Sequence, residues 1–339
     1  MARYRSALIA ALLAAVVAAL ASRRFVAGVA NPHRPNLAGR VVLITGANGG
    51  LGFEQARELF LLNATVVLAG RDRKRVDAAA ARIRAAAAAT PCSGAVDASA
   101  LLDLSSFASV RAFAASFLSR YSRLDTLVLN AGIMRVPRAH TVDGHDVTLQ
   151  TNHLSHHLLT ALLLPALRAT AAATGDARVL AVSSVGHLWA ELDAAALADL
   201  SFDRRNDTQA GFAPYTQSKL ANVLFARELA RREAAKGTNV TAYSLHPGAV
   251  LTDIFSHVDG FGWLAPYATP LLVPFFKSAL EGAQTQIYLA AAPLAEIRPH
   301  TGAYFVDCAP AKANPIAGDA EIARELWRVS DELAGLSEH

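Results

Sequence analysis

Short apolar runs alternate along the chain with longer amphipathic stretches, from about residue 40 almost to the carboxyl terminus. The runs are rich in β-branched residues and occupy 40–45, 65–70, 124–130, 177–184, 239–245 and 302–307, with a weaker run at 99–104. Helical periodicity lies between them, near 50–62, 73–89, 106–121, 145–170, 214–235, 279–291 and 319–333. Strands that are apolar on both faces and separated by helices predict a parallel sheet covered on its two sides. We therefore expect a doubly wound α/β domain of about seven parallel strands.

The amino terminus follows a different pattern. Residues 7–21 form fifteen consecutive apolar residues with two arginines close to each end. As a helix this run spans roughly 22 Å, shorter than a hydrocarbon core of ~30 Å, and the arginines can extend toward the headgroups. Ala19 and Ala21 also fit the cleavage site of a signal peptide. We favour an uncleaved membrane anchor, with a cleaved signal peptide as the alternative.

Composition and charge narrow the class of protein. Of the 339 residues, 53% are apolar and 18% charged, and 32 basic against 28 acidic residues give a net charge of +4. This balance is too mild to indicate nucleic-acid binding. Cys92 and Cys308 offer neither a disulfide framework nor metal-ligand spacing, so no metal is expected.

A glycine-rich loop follows the first predicted strand directly. It reads TGANGGLG, from Thr45 to Gly52, and a predicted helix comes next. Gly46, Gly50 and Gly52 let the chain turn tightly and let a pyrophosphate approach the backbone and the helix N-terminus. No Lys-Ser or Lys-Thr closes the loop, which argues against a nucleotide-hydrolysing P-loop. The position between strand and helix favours a dinucleotide site over a purely structural turn.

The end of the second predicted strand indicates which dinucleotide is bound. An NAD-selective site carries an acidic residue near this point, for the ribose 2′-hydroxyl. Here Gly70 leaves space and Arg71 offers a guanidinium, which suits the 2′-phosphate of NADP. Asn48 and Gly49 supply no second basic side chain, so Arg71 is expected to act largely alone. Asp72 is interpreted as the cap of the next helix.

A tyrosine and a lysine lie four residues apart in the stretch PYTQSKLANVLF. On a helix, Tyr215 and Lys219 are neighbours on one face. A nearby ammonium favours the phenolate form of a tyrosine, whose unperturbed pKa is near 10. The pair is therefore a candidate acid–base group, although the same spacing also arises by chance and fits a plain surface helix.

The order of these motifs resembles the short-chain dehydrogenase/reductase family, over roughly residues 38–335. Further matches are NAG after the fourth predicted strand, LQTNHLSH, AVSSVG and HPGAVLTD. The resemblance implies a single-domain Rossmann fold that binds NADP(H) and transfers a hydride. It also implies that Tyr215 acts as the acid/base, Ser184 holds the substrate oxygen, Lys219 grips the nicotinamide ribose and Asn152 positions water in a proton relay. Ser183 fits a structural hydroxyl at the strand end better.

The resemblance also implies the cofactor site. Asp103 lies where the family contacts the adenine ring, and the segment from Pro247 flanks the nicotinamide. The expected cofactor-binding residues are Thr45, Gly46, Asn48, Gly50, Leu51, Gly52, Arg71, Asp103, Leu104, Asn130, Ala131, Gly132, Tyr215, Lys219, Pro247, Gly248, Val250 and Thr252. His153, His156 and His157 have no acidic partners or zinc spacing nearby in the sequence, so they are interpreted as structural or pocket-lining.

Several longer segments are most similar to the retinol dehydrogenase-type reductases of this family. They are SKLANVLFARELA, SLHPGAV, EGAQTQIYLA, YFVDC and ARELWRVSDELAGL. The resemblance implies interconversion of a lipophilic alcohol and its aldehyde or ketone, of the retinoid or fatty aldehyde type. Similar sequence also occurs in a plastid-envelope import component, so a non-catalytic NADP(H)-binding subunit of a membrane complex is the alternative. The complete catalytic set favours the enzyme.

The expected organisation is an anchor and linker over residues 1–37 and a catalytic domain over 38–335. Residues 253–280 are expected to form a substrate lid, and the six aromatic residues in 253–277 suit a lipophilic substrate. Ordinary lid packing or a membrane-touching surface explains those aromatics nearly as well. The expected partners are a lipophilic small molecule and a membrane, without nucleic acid, and a homodimer is allowed. The endoplasmic reticulum is the preferred membrane, and a plastid or secretory route stays open.

Overall fold

The computed structural model describes Arg23 and residues 26–134, 139–197, 200, 212–250 and 276–336. Eight strands in this part of the chain form one sheet. They are β1 Val41–Thr45, β2 Thr65–Ala69, β3 Ala95–Asp97, β4 Thr126–Leu129, β5 Ala177–Val182, β6 Val240–His246, β7 Tyr304–Val306 and β8 Ala309–Ala311. Their order is β3-β2-β1-β4-β5-β6-β7-β8, parallel throughout except for the antiparallel β7–β8 pair. The predicted doubly wound α/β fold is confirmed.

Helices connect the strands and cover both faces of the sheet. They are α1 Gly50–Leu61, α2 Arg73–Ala86, α3 Phe107–Arg120, α4 Val147–Thr174, α5 Ala194–Leu197, α6 Ala213–Ala235, α7 Ala279–Ala291, α8 Leu294–Ile297 and α9 Ala320–Leu333. One π-helical turn, Gln150–Leu154, interrupts α4 near its start. Short 3₁₀ turns occupy Val185–Trp189, Arg298–His300 and Pro315–Gly318.

Successive residues of a strand point into opposite layers of the core. Leu43 of β1 packs with the layer of α3, α4 and α6, whereas Val42 and Ile44 pack with the layer of α1, α2 and α7. Because both faces are buried, the strands are apolar throughout rather than alternating. Outside these layers, α9 packs on α6, where Trp327 stacks on Phe225 with ring centroids 5.5 Å apart.

Among the described residues, α4 is the one helix long and apolar enough to cross a membrane by length and composition. Leu158, Leu159 and Leu163 are nevertheless fully buried against the sheet, which identifies α4 as a core helix. The apolar run at 7–21, predicted as the anchor, lies outside the described residues, and so does most of the predicted lid, namely residues 253–275.

The third strand differs from its prediction. The apolar run at 99–104 is not a strand, and β3 comes earlier, where Ala95–Asp97 pairs with β2. Leu102 has left the sheet by then, and its N–H donates to the carbonyl of Gly70 at 2.9 Å. The side chain of Leu102 is still buried in the core. The run is therefore apolar because Leu102 and Leu104 pack into the core, not because the run pairs with a strand.

The sheet has eight strands rather than about seven because β8 carries no recognisable pattern. It is three exposed residues long and contains Pro310. Asp307 and Cys308 turn the chain into it with φ values of 48° and 62°. A proline is tolerated there because β8 lies at the margin of the sheet.

Candidate active site

In a parallel sheet all strands end at the same side, here called the carboxyl edge, and begin at the opposite side, the amino edge. Each predicted site residue that the structure describes lies on a segment leaving the carboxyl edge or in the first turns of the following helix. The crevice outside the carboxyl ends is where doubly wound sheets bind their ligands. The fold therefore gathers residues that are far apart in the sequence.

The glycine-rich loop between β1 and α1 has the geometry of a phosphate cradle. Gly46 and Gly50 have φ values of 68° and 53°, which favour glycine. A Cβ on Gly52 would lie 2.6 Å from Nδ2 of Asn130, so α1 approaches the fourth strand closely. The N-cap, Gly49, contributes no side-chain cap to α1. A pyrophosphate fits this arrangement, because uncapped N–H groups at a helix start bind anions.

Asn130 provides a second sign of a ligand at this loop. Its Nδ2 donates to the carbonyl of Thr45 at 2.8 Å, while its buried Oδ1 has no partner among the described residues. The Thr45 hydroxyl accepts from the backbone N–H of Asn130 and Ala131, at 2.9 and 3.0 Å, and also contacts His156. Thr45 is fully buried, so its hydroxyl joins β1 to β4 and positions the loop.

The adenine end of the site carries two arginines. Arg71 is exposed just before α2, and Asp72 accepts from the N–H of Arg75 at 3.0 Å, which confirms Asp72 as a helix cap. The guanidinium of Arg75 lies 3.8 Å from where a Cβ on Gly49 would stand. Arg75, in the first turn of α2, therefore lies beside the loop as well, and the expectation that Arg71 acts largely alone stays a prediction. A basic residue in the first turn after the strand was the signal available in the sequence.

Two more predicted residues of the adenine side lie after β3. Asp103 Oδ1 accepts from the backbone N–H and hydroxyl of Ser105, at 2.9 and 2.7 Å. The carbonyl of Leu104 accepts from the hydroxyl of Ser155 at 2.6 Å. These bonds fix the shape of the segment and tie it to α4.

The structure brings Ser184, Tyr215 and Lys219 together at the end of β5. Lys219 Nζ lies 5.7 Å from the ring centroid of Tyr215, and it donates to the carbonyl of Val182 at 3.0 Å. Ser184 and Tyr215 converge beside Gly186, where a Cβ would lie 3.5 Å from Oγ of Ser184 and 3.3 Å from Cε1 of Tyr215. Ser183 points the other way and donates to the carbonyl of Lys219 at 2.7 Å, as expected of a structural hydroxyl.

Asn152 lies in the π-helical turn of α4, where the extra residue per turn reorients its side chain. Its Oδ1 accepts from the N–H of Ile133 at 2.8 Å, and its Nδ2 donates to the Ile133 carbonyl and the Ser218 hydroxyl, each at 3.0 Å. A Cβ on Gly132 would lie 3.2 Å from both Asn152 Oδ1 and Lys219 Nζ. Asn152 therefore holds the NAG loop against α6.

Burial dominates the ionisation of this cluster. It raises the pKa of Tyr215, and the hydrogen bond from Ser184 opposes this only in part. It also lowers the pKa of Lys219 to about 8. The net direction for Tyr215 is thus opposite to that expected from the Lys219 ammonium alone. A protonated Tyr215 at neutral pH is suited to donate a proton, and a further positive charge nearby would be needed to favour the phenolate.

The segment after β6 is packed tightly. Gly248 has a φ of 90°, and a Cβ there would lie 2.7 Å from Cδ of Lys277, so only glycine fits. Lys277 is buried and ion-paired with Asp307. Val250 is buried against α7, where a Cβ on Gly282 would approach it to 2.5 Å. The predicted cofactor residue Thr252 lies outside the described residues.

His187 is a supporting residue that the sequence did not reveal. Its Nδ1 lies 2.6 Å from the carbonyl of Ser184, and its Nε2 accepts from the N–H of Asn314 at 3.2 Å. It therefore steadies the segment that carries Ser184. His187 and Asn314 are 127 residues apart in the sequence, and no spacing rule connects them.

The three clustered histidines are buried and hydrogen-bonded. His153 contacts Asn222 and Ser330, and His156 contacts Thr45 and the carbonyl of Asn152. Burial lowers the pKa of His153 to about 3 and that of His156 to about 4. His157 does have an acidic partner, Asp331 of α9 at 2.6 Å, which sequence proximity could not reveal.

The sequence is similar to one protein-family model and to named dehydrogenases. A family model described as short chain dehydrogenase matches residues 40–191. Human retinol dehydrogenase 14 is 42% identical, covering 96% of this chain and 98% of the relative. Human retinol dehydrogenase 12 is also 42% identical, covering 93% of this chain and 92% of the relative.

Two solved structures are also similar to this chain. An uncharacterised protein from Mycobacterium Paratuberculosis is similar with a TM-score of 0.68 and 34% identity, covering 91% of this chain and 98% of that one. RhlG of Pseudomonas aeruginosa, solved as an active-site complex with NADP, has a TM-score of 0.59 and 26% identity, covering 81% and 96%.

Proposed function

Because the chain belongs to the short chain dehydrogenase family, in its retinol dehydrogenase-like subgroup, we propose that it interconverts a lipophilic alcohol with its aldehyde or ketone using NADP(H). The observation that carries the proposal is the cluster of Ser184, Tyr215 and Lys219 beside the glycine-rich cradle. A phenol that lies close to a hydroxyl and an ammonium is suited to exchange a proton with a substrate oxygen.

NADPH, when bound, supplies the hydride that a carbonyl carbon receives. Tyr215 donates its phenolic proton to the carbonyl oxygen, so the product is the alcohol and Tyr215 becomes a phenolate. Ser184 holds the same oxygen by a hydrogen bond. Burial raises the pKa of Tyr215, so the side chain keeps its proton until that step. Lys219 stabilises the phenolate, since a buried ammonium lies near the ring.

The preference for NADP(H) rests on the adenine end of the site. Proteins of this family bind nicotinamide cofactors, and the RhlG relative was solved with NADP. Arg75 places its guanidinium beside Gly49, and the exposed Arg71 follows Gly70, which lies against Asn48. The 2′-phosphate of NADP is doubly charged and accepts bidentate hydrogen bonds, which NAD cannot do.

The lipophilic substrate class rests on two observations. Human retinol dehydrogenases 14 and 12 are each 42% identical to this chain, and retinol is a long apolar alcohol. Next to Ser184, the side chains of Leu188 and Trp189 are exposed. The alternative of a non-catalytic subunit is less well supported, because sensing a nucleotide does not require Tyr215.

The direct test is turnover by the purified full-length protein. NADPH oxidation should be measured with all-trans-retinal, a long-chain aldehyde and a short water-soluble aldehyde. We expect the two apolar aldehydes to give the higher kcat/KM. Tight NADPH binding without oxidation by any of these compounds would instead favour the non-catalytic alternative.

We further propose that residues 7–21 anchor the protein in a membrane, with the endoplasmic reticulum preferred. Fifteen apolar residues between arginines suit a short span. An anchored protein stays with membranes after alkaline carbonate extraction. Finding Ser22 as the mature amino terminus would show a cleaved signal peptide instead.

A further inference from the structure

Arg23 and residues 26–37, here called the strap, join the amino terminus to β1 along the side of α7. At the carboxyl edge, Arg23 donates to the carbonyl of Phe276 at 3.1 Å and is ion-paired with Glu281 in the first turn of α7. Further along, the N–H of Asn31 donates to Gln284 at 2.9 Å. His33 then reaches Glu296, beyond the end of α7, at 3.0 Å. The strap therefore runs from the carboxyl edge to the amino edge.

The path of the strap determines at which edge of the sheet the chain leading from the apolar run first contacts the domain. The run ends at Ala21, two residues before Arg23. Two residues span at most roughly 7 Å of extended chain. Arg23, the described residue nearest to the run, therefore lies beside the carboxyl edge, although β1 itself begins at the amino edge. Without the strap, an anchor attached to β1 would lie at the far side of the sheet from the site.

The exposed apolar side chains are also concentrated at the carboxyl edge. In the part of the chain that the structure describes, eight large apolar side chains are exposed. Six of them lie on segments that leave the carboxyl ends of strands, namely Leu101, Val142, Val185, Leu188, Trp189 and Phe212. The other two are Val29, on the strap, and Leu118, near the end of α3.

Four of the six, Val185, Leu188, Trp189 and Phe212, follow Ser184 or immediately precede the helix of Tyr215; they are called the edge patch. Trp189 is 64% exposed, and its ring centroid lies 6.3 Å from that of Phe212. An exposed tryptophan beside other apolar side chains is costly in water and favourable at a membrane interface. The catalytic hydroxyls are thus bordered by a surface that suits lipid.

We propose that the carboxyl edge docks onto a phospholipid bilayer through the edge patch, so that the catalytic site opens toward the membrane. The bilayer is the occupant because the strap brings Arg23 to this same edge, only two residues after an apolar run that has arginines on both sides in the sequence. The proposal rests on the proposed anchoring, and it adds an orientation that anchoring alone does not specify. An apolar substrate dissolved in the bilayer then reaches Ser184 and Tyr215 without crossing water.

The orientation can be measured with two matched leucines. Leu188 is 46% exposed at the carboxyl edge, and Leu118 is 42% exposed at the end of α3 toward the amino edge. Each is changed to cysteine in the full-length chain with Cys92→Ser and Cys308→Ser, and labelled with an environment-sensitive fluorophore. The labelled proteins are bound to phosphatidylcholine vesicles whose acyl chains carry a nitroxide quencher.

We expect the Leu188→Cys label to lose at least about half of its fluorescence, because an interfacial surface enters the bilayer by about 5–10 Å. The Leu118→Cys label should be unaffected. Vesicle flotation of both labelled proteins distinguishes a failure of the docking proposal from a failure of the anchoring proposal. A floating protein with an unquenched Leu188→Cys label would overturn the docking and leave the anchor intact, whereas failure to float would overturn both. Turnover in detergent tests the enzymatic proposal independently of either result.

A second measurement separates docking from simple lining of the substrate pocket. Trp189→Ser should raise the KM for retinal supplied in vesicles several-fold more than it raises the KM for a water-soluble aldehyde. Leu118→Ser should change neither value. Equal increases for both substrates would mean that Trp189 only lines the pocket, and the docking proposal would then be wrong. If Leu188→Cys does not fold, Phe212→Cys reports on the same patch.

Discussion

At the amino edge of the sheet, buried carboxylates are held by arginines. The pairs are Asp125 with Arg123, Asp176 with Arg178 and Arg40, Glu228 with Arg231 and Arg232, and Glu233 with Arg168. Burial alone would raise the pKa of Asp176, but the hydrogen bonds and charges of its two arginines outweigh it and hold that pKa below its usual value. Each of these buried carboxylates has an arginine partner, and in the Asp176–Arg178 pair both charged groups are buried.

The carboxyl edge is different. Lys219 is buried there without a carboxylate partner in the described residues, and its Nζ donates to the carbonyl of Val182. Its pKa falls to about 8, that of Tyr215 rises, and Asn130 Oδ1 has no partner in the described part of the chain. Unpaired buried charge is destabilising, so its presence at one edge only indicates a functional site. We therefore expect the amino edge to stabilise the fold and the carboxyl edge to bind and transform ligands.

Among the changes that test the difference between the two edges, Tyr215→Phe is expected to have the largest effect, which is on turnover. Removing the one proposed proton donor should lower turnover by about 10²- to 10⁴-fold while NADPH binding persists. Steady-state NADPH oxidation and fluorescence titration measure the two quantities. Tyr243→Phe, in the core of β6, is the matched control and should keep its turnover. Near-normal turnover of Tyr215→Phe would remove it from the mechanism.

The amino edge should respond in stability rather than activity. Asp176→Asn leaves the fully buried Arg178 without its counter-charge, which costs about 3–5 kcal/mol of unfolding free energy. Urea denaturation measures this loss, and kcat/KM of the folded fraction should not change. Glu325→Gln breaks an exposed pair with Arg328 and should have no measurable effect. Equal unfolding free energies for Asp176→Asn and Glu325→Gln would show that the buried ion pairs do not stabilise the amino edge.

Acid should weaken the carboxyl edge first. The pKa of His156 is about 4 when folded, against an ordinary value of 6.5, because burial disfavours the charged ring. The unfolded chain therefore binds more protons between these values, so stability is full above pH 6.5 and falls as the pH drops toward 4. The loss should be on the order of 3 kcal/mol. Thermal unfolding from pH 7.5 to 4.5 measures it.

His156→Gln should flatten that pH dependence, and the exposed His300→Gln should leave it unchanged. An unchanged slope in His156→Gln would assign the acid sensitivity to other groups. His153 and His246, whose pKa values burial lowers to about 3 and about 4, are the next candidates.

The smallest expected effect concerns cofactor choice. Charge-assisted contacts contribute on the order of 1.5–3 kcal/mol, so NADPH should bind roughly ten- to a hundredfold more tightly than NADH. Arg71→Ala with Arg75→Ala should remove the difference. Arg73→Ala is the control, because its guanidinium donates to the carbonyls of Ala98 and Ser99 instead. Equal dissociation constants in the wild type would make Arg71 and Arg75 ordinary surface charges.

One plausible cofactor swap is unsuitable for that test. Gly70→Asp would place a Cβ 2.9 Å from Val76 and 3.0 Å from Asn48, so the new side chain would displace the loop itself. The space expected at Gly70 from the sequence is filled by these neighbours. Loss of NADPH binding in that variant would report a packing clash rather than a change of preference.

Much of this protein could be predicted from its sequence, because the relevant signals are local. Apolar runs located six of the eight strands, and α7 was predicted at its observed bounds, 279–291. The glycine-rich loop and the YxxxK pair are short motifs whose geometry follows from one turn or one helix. Short elements without a pattern were missed, and β8 is the example.

By itself the sequence determined the fold class, the family and the set of candidate catalytic residues, since each depends on neighbours along the chain. Only the tertiary structure decided which groups meet across it. It placed His156 on Thr45, His187 on Asn314, and Asp331 on His157, across separations of 111, 127 and 174 residues. It also decided the direction of the Tyr215 pKa, because burial outweighs a favourable neighbour. Desolvation and long-range contact depend on how the layers pack, and no local spacing encodes them.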